Sequence, residues 1–367
     1  MTEYDLTYYS PVGAYISPLP FQSLDYIRKE NDVGVLTASV LGDYKPGYFK
    51  QDGLLTVHRS INGLSPYLDG DTAWLIRKIA YATDASGVDT ATIEAYDFCD
   101  ILRRRIVAYA AGNSYTHKLD VADDLMKAVV IENFGVAALD TDRDISTYVS
   151  VQADTSGGPI VGDDIQHETV LDVLQNFSNA AWEEGIRVLF DMVYMSITKV
   201  EFRTYIGHRG IDHSTTGDNA AIVSLENGNL SSPSLTEDYS NEKNYAYAGG
   251  QGDNDLQAVE EYGDTERILK SPYNRCETYE DAGNTTDATI LASVAKSAVA
   301  AGKPVLRLTG KILDTPGFRY GLNYRYGDLV TAQYKGQIFN CRVSAIHVTV
   351  DNEGEKLDIQ VTGEKYG

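Results

Sequence analysis

Cysteine is scarce: Cys99, Cys276 and Cys341 are the only three in 367 residues. Their number is odd, their spacings are wide and no CxxC pair occurs, so neither a disulfide framework nor a zinc site is supported. Folding in a reducing cytoplasm is the expectation that follows. No run of about 18 apolar residues exists, so no membrane-spanning helix is expected. The opening MTEYDLTYYSPVG has no basic stretch leading into an apolar core, so no signal peptide is expected. Basic residues are outnumbered, 31 Lys and Arg against 53 Asp and Glu, for a net charge of −22. A protein that grips phosphates needs a basic face. This chain offers the run Arg103-Arg104-Arg105, inside a helical pattern, so specific nucleic-acid binding is not expected. Catalytic signatures are missing as well: no HExxH, no GxSxG elbow and no Walker A.

What is present is folded-protein composition, 43% apolar and 23% charged. Phenylalanine is rare and tyrosine is not, 9 against 26. Tyrosine joins an apolar ring to a polar tip, which suits interfaces and half-exposed sheet faces. The length calls for about two to four domains.

Residues 303–363 organise the reading. Val305, Leu306, Leu308 and Ile312 alternate with Arg307, Thr309 and Lys311, as in a strand. Strands are expected at 328–334, 337–351 and 356–362. Within 337–351, Ser344, Ile346, Val348 and Val350 form the apolar face, and Val343, Ala345, His347 and Thr349 the other. Asp351-Asn352-Glu353-Gly354 reads as a turn with Gly at a positive φ, joining 346–350 to 357–361 as a hairpin. Four short strands separated by turns predict a small antiparallel barrel.

Residues 1–92 are also strand-rich, with a pair at 21–28 and 33–41 and further strands at 49–54, 55–61, 73–80 and 89–95. Within 72–79, Trp74, Ile76 and Lys78 share one face, and Ala73, Leu75 and Arg77 the other. Amphipathic spacing predicts helices at 95–111, 119–133, 169–184 and 287–301. Gly112-Asn113, Gly135, Gly185 and Gly302 stand at their ends. Short strands are expected at 148–153, 188–194, 200–205, 221–225 and 245–248. The fold class expected is α+β, with two small antiparallel β-barrel lobes and α/β modules inserted between them. The expected units are a first lobe at 1–95, a helical α/β module at 96–206, a polar loop-rich β segment at 207–285, and a helix plus second lobe at 286–367.

Candidate chemistry is thin. Asp140-x-Asp142-x-Asp144 has the opening spacing of a calcium loop, but Ile145 stands where Gly is wanted and Val151 where a bidentate Glu is wanted. A solvated acidic turn is expected. Asp253 and Asp255, with Glu260 and Glu261 nearby, read as a charged loop. His208 and His213 lie on a Gly-containing loop without helical metal spacing. Gly249-Gly250-Gln251-Gly252 precedes no strong helix start, so a phosphate cradle is weakly supported. Glu183 and Glu184 are adjacent on a helix and diverge. No catalytic residue, cofactor-binding residue or metal ligand is assigned, and no cofactor is expected.

Two segments carry a resemblance. Tyr320-Gly321-Leu322-Asn323-Tyr324-Arg325-Tyr326-Gly327-Asp328-Leu329-Val330 resembles the "YG-x-DY-x-x-GD-x-V" segment of tailed-phage tail-tip and baseplate hub proteins, with Asn323 in place of Asp. FKQDGLLTVHRSINGLSPYLDGDTAWLIRKI resembles a second hub segment through Val57, Arg59, Tyr67, Asp69, Gly70, Thr72, Trp74, Ile76 and Arg77. The resemblance spans roughly the first hundred and the last sixty residues. It marks Trp74, Arg77, Tyr320, Gly321, Tyr324, Gly327 and Asp328 as motif residues that shape the lobes and carry no chemistry. It implies a structural virion protein, a homotrimeric hub that ends the tail tube, with distal tail protein, tape-measure protein and spike or fibre proteins as partners. Assembly would take place in the host cytoplasm. Other classes to weigh are a carbohydrate- or receptor-binding module in the tyrosine-bearing 207–263 segment, and a cell-wall hydrolase, for which a chain ending at Tyr366-Gly367 leaves no room.

Overall fold

The N-terminal strands are β1 (Thr2–Tyr9), β2 (Tyr15–Pro18), β3 (Phe21–Lys29), β4 (Val35–Leu41), β5 (Leu54–Ile61), β6 (Tyr67–Thr83) and β7 (Asp89–Asp97), and burial alternates along β3, β4 and β7 while β5 is buried almost throughout. The computed structural model describes residues 2–366 apart from 84, 86, 109–114, 216, 218, 253–255 and 284. A module of α1 (Asp100–Arg103), β8 (Thr116–Val121), α2 (Ala122–Phe134), β9 (Val149–Val151), β10 (Ile160–Ile165), α3 (Val170–Glu183), β11 (Val188–Ser196) and β12 (Lys199–Ile206) follows. Then come β13 (Asp212–His213), β14 (Ile222–Ser224), β15 (Leu230–Asp238), β16 (Tyr245–Gly249), β17 (Val259–Gly263), α4 (Thr265–Ile268), β18 (Glu277–Asp281) and α5 (Ala288–Ala301). The chain closes with β19 (Val305–Ile312), β20 (Leu329–Tyr334), β21 (Gln337–Asp351) and β22 (Gly354–Tyr366).

One 14-stranded sheet holds both ends of the chain, in the order β15-β19-β22-β21-β3-β4-β7-β6-β5-β1-β2, with β20 beside β21 and β13 and β14 beside β20. The strand content and separate helices fit the expected α+β class, but two closed barrels are not what forms. Among the described residues the sheet stays open at β2 and β15. The reason lies in β21, which is 15 residues long. Its first half pairs with β20, from Leu329↔Arg342 to Tyr334↔Gln337. Its second half pairs with β3, from Ala345↔Lys29 to Val350↔Leu24. The N-terminal strands therefore continue the C-terminal sheet instead of closing on themselves. The expected hairpin is present, with Ile346 opposite Ile359 and Asp351 opposite Gly354, and Gly354 has φ 116°.

From Thr72 to Ile76, β6 is buried on both faces. Trp74 and Ile76 enter the core of the N-terminal lobe with Leu24, Tyr26, Leu36, Leu55 and Val57. Ala73 and Leu75 enter a second core with Leu125, Val129, Leu174, Phe177 and Phe202 of the module. That two-sided burial explains why 73–76 is an unbroken apolar run. In α3, Leu171, Leu174, Phe177 and Ala181 make the buried stripe. Thr169 caps its start, accepting the Asp172 amide at 3.1 Å.

The helix expected at 95–111 forms only as α1; residues 109–111 and the stop at Gly112-Asn113 lie outside the described residues. Ala95 stays in β7, opposite Leu36 and Ile76, and strand pairing overrides the helical period there. Residues 49–54 also differ: Phe49 is a buried turn residue packed on Tyr8, Tyr44 and Tyr48.

β15 and β19 form an antiparallel pair that ends at Asp238↔Val305. The chain between them builds its own layer, the sheet β17-β16-β18 with α5 packed on one face. Leu291, Ala295 and Val299, at i, i+4 and i+8, meet Ala246 and Ala248. The boundary expected at 285/286 falls inside this layer, because α5 needs β16 to cover its apolar stripe.

Candidate functional site

The two recognised segments, more than two hundred residues apart in sequence, meet in space. β5 and β6 present Arg59, Tyr67 and Asp69, and the loop before β20 brings Tyr320 and Gly321 onto them. Tyr320 Oη donates to Asp69 Oδ1 at 3.0 Å. Tyr26 donates to the other carboxylate oxygen. Arg59 Nη1 donates to the Tyr320 carbonyl and to Tyr67 Oη, both at 2.9 Å. Its guanidinium also lies 5.1 Å from the Tyr320 ring centroid and pairs with Glu355 at 2.7 Å. Burial pushes the Asp69 pKa up, with the two phenols and Arg59 pulling the other way. Burial also raises the Tyr26 and Tyr320 phenols well above their ordinary value, so both remain donors.

Gly321 has φ +83°, and a Cβ built on it would stand 2.1 Å from Tyr67 Oη and 2.7 Å from Arg59 Nη1. Only glycine permits this approach. Tyr324 is buried beside it, its hydroxyl donating to Asp314 Oδ1 at 3.0 Å. Asp328 ties down the turn: it accepts the Ile211 amide and the Arg325 amide, each at 2.7 Å. The Gly327 amide donates to the Val343 carbonyl at 3.0 Å. Trp74 is fully buried, edge-on to Tyr26 at 5.8 Å. Arg77 stands apart from this junction, on Asp52 at 2.9 Å near the surface.

A second buried group lies next to the first. Arg28 is fully buried and pairs with Asp97 of β7 and, at 2.9 Å, with Asp191 of β11. Asp191 also takes Arg209 at 2.6 Å, and the Tyr326 ring lies 5.2 Å from both guanidinium carbons. Arg28 Nε reaches the Gly70 carbonyl at 3.2 Å. Four charges and the Tyr326 ring thus join the N-terminal lobe, the module and the C-terminal lobe. Burial alone would raise Asp191, but Arg28 and Arg209 outweigh it and hold the carboxyl at about 2. For Asp97 burial wins over Arg28 and pushes it up to about 6. Sequence reasoning passed over this set. The available signal was the register of β3, where period two puts Arg28 on the same inward face as Leu24 and Tyr26.

The remaining candidates serve local structure. Asp140 accepts the Asp142 amide and Asp144 the Ser146 amide, capping a short 3-10 turn. Asp253 and Asp255 lie outside the described residues. His213 rests 3.5 Å from Asp328. The Gly250 and Gln251 amides donate to the Ala258 and Thr285 carbonyls, so they are not presented to a phosphate. No helix is long and apolar enough to cross a membrane among the described residues.

A family model described as Siphovirus ReqiPepy6 Gp37-like protein matches residues 60–362. The 43 kDa tail protein of prophage MuSo2 from Shewanella oneidensis is similar in structure, at 15% identity over 98% of each chain with a TM-score of 0.52, and shares the fold. A tail protein from Neisseria meningitidis MC58 matches at 12% identity over 99% of this chain and 96% of its own, TM-score 0.49. Prophage tail protein gp18 from Listeria monocytogenes EGD-e matches at 10% identity over 98% and 94%, TM-score 0.48. No curated protein matches the chain significantly in sequence.

Proposed function

Since the chain belongs to the Siphovirus ReqiPepy6 Gp37-like family, we propose that it is a structural component of a phage tail, a homotrimeric hub at the distal end of the tube. The observation that carries this reading is the fold shared with the MuSo2 tail protein. The two motif segments support it, because both are spent on a buried junction that stiffens a scaffold. In this reading three chains set six similar lobes around a passage for DNA and tape-measure protein. The distal tail protein lies on one side and spike or fibre proteins on the other. The particle assembles in the host cytoplasm, and the chain performs no catalysis. Native mass spectrometry of the protein with its neighbouring tail protein tests the assembly. Trimers are expected, and a persistent monomer with the partner present would sink the hub assignment. Clearing of cell wall in a zymogram would overturn the non-enzymatic part alone.

A further inference from the structure

The layer carried between β15 and β19 has a face that its own helix does not cover. α5 packs on the Ala246 and Ala248 side of β16. Tyr245, Tyr247 and Gly249 point to the other side, with Val259 and Glu261 beside them on β17 and Glu277, Tyr279 and Asp281 on β18. Two rings are laid across glycines. A Cβ on Gly249 would meet Tyr279 Oη at 2.0 Å, and one on Gly263 would meet Tyr245 Cδ2 at 2.6 Å. Gln257 Nε2 holds the Tyr279 hydroxyl at 3.0 Å, yet Tyr279 remains 54% exposed.

This face already shows how it holds a cation. The Arg275 guanidinium carbon sits 3.8 Å from the Tyr245 ring centroid. Its Nε donates to Glu277 at 2.6 Å and its Nη2 to Tyr247 Oη at 3.3 Å. Ring, carboxylate and phenol together make the seat. Two residues further along β18 the same elements recur: the Tyr279 ring, the Asp281 carboxylate, and Tyr247 as the cross-strand partner of Tyr279. Asp281 keeps one carboxylate oxygen for the Gly283 amide at 2.8 Å. Among the described residues no guanidinium lies over the Tyr279 ring, which is left exposed as a second seat of the same kind.

We propose that the Tyr247, Tyr279 and Asp281 face docks an arginine-bearing segment of a partner protein. Charge complementarity selects that occupant: Glu261, Glu277 and Asp281 set three carboxylates on this face, and Arg275 is already seated on one of them. A planar guanidinium suits a ring flanked by a carboxylate better than a lysine ammonium does. The proposal does not depend on the hub reading.

The test is titration of the full chain with a fluorescein-labelled octa-arginine peptide at moderate salt. Tyr279→Ala and Asp281→Asn should each weaken binding by about threefold to tenfold. Tyr279→Phe keeps the ring and should retain binding, which guards against misfolding of the alanine variant. Glu353→Gln, the same charge change on the exposed turn before β22, should leave binding unchanged. An octa-lysine peptide should bind more weakly. Equal losses from Glu353→Gln and Asp281→Asn, or none from Tyr279→Ala, would overturn the proposal in favour of diffuse attraction. Competition by a neutral oligosaccharide would overturn it in favour of a sugar platform.

Discussion

Asp191 is the residue on which two guanidinium groups depend. Replacing it by Asn leaves Arg28 and Arg209 sharing no carboxylate between them, so Asp191→Asn should cost about 3–5 kcal/mol at neutral pH. The cost should depend on pH. Asp191 is held at about 2, below its unfolded value, so its contribution is present above about pH 4 and fades as pH falls toward 2. Denaturant melts from pH 7 down to 2.5 should show the gap between wild type and variant narrowing over that window. Asp97, raised to about 6, acts with the opposite sign: its contribution is present below about pH 4 and lost as pH rises through 6. A gap independent of pH would show that Asp191 works through shape alone. At Trp74, full burial against Tyr26 predicts a loss of about 3–5 kcal/mol for Trp74→Ala in the same melts. Trp74→Phe should cost less, because the indole nitrogen has no hydrogen-bond partner among the described residues. Gly321→Ala should lose about 1–3 kcal/mol from left-handed strain alone, before any collision with Tyr67.

Elements differ in how far the rest of the fold depends on them. β21 and β22 lie inside the sheet, with neighbours on both edges. Deleting 303–367 should leave β3 with a bare edge and strip the Tyr320–Asp69 contact, so the product should aggregate. A soluble truncation with a cooperative melt would contradict this placement. The layer between β15 and β19 should be dispensable by the same logic, since Asp238 and Val305 are already paired. Replacing 240–303 with a short turn should preserve solubility and a cooperative melt, read by circular dichroism. Loss of both would mean that the layer supports the large sheet. Helices α2, α3 and α5 were legible because their stripes run long enough to read. The stretch at 95–111 was not, because ladder pairing of β7 outweighed its period.

For the whole molecule, the acidic balance bears on transport. DNA phosphates are held by basic surfaces through counterion release. A chain of net charge −22 should repel them, and in the hub reading that repulsion keeps the passage slippery. A gel-shift at low salt should show no retardation. Carboxylates are expected to line the threefold channel in an assembled particle; a basic wall would defeat the slippery-passage idea and leave the hub reading standing.

Local pattern alone determined the strand-rich ends, the C-terminal hairpin, most helices and the two motif segments. Period, turn residues and composition act over a few residues and can be read there. Tertiary structure decided that β21 serves two lobes at once, so one open sheet replaces two closed barrels. It also decided that Asp69 waits for Tyr320, and that Arg28, Asp97, Asp191 and Arg209 share one buried site. Such pairings are set by which distant strands lie side by side, and no short-range period encodes that distance.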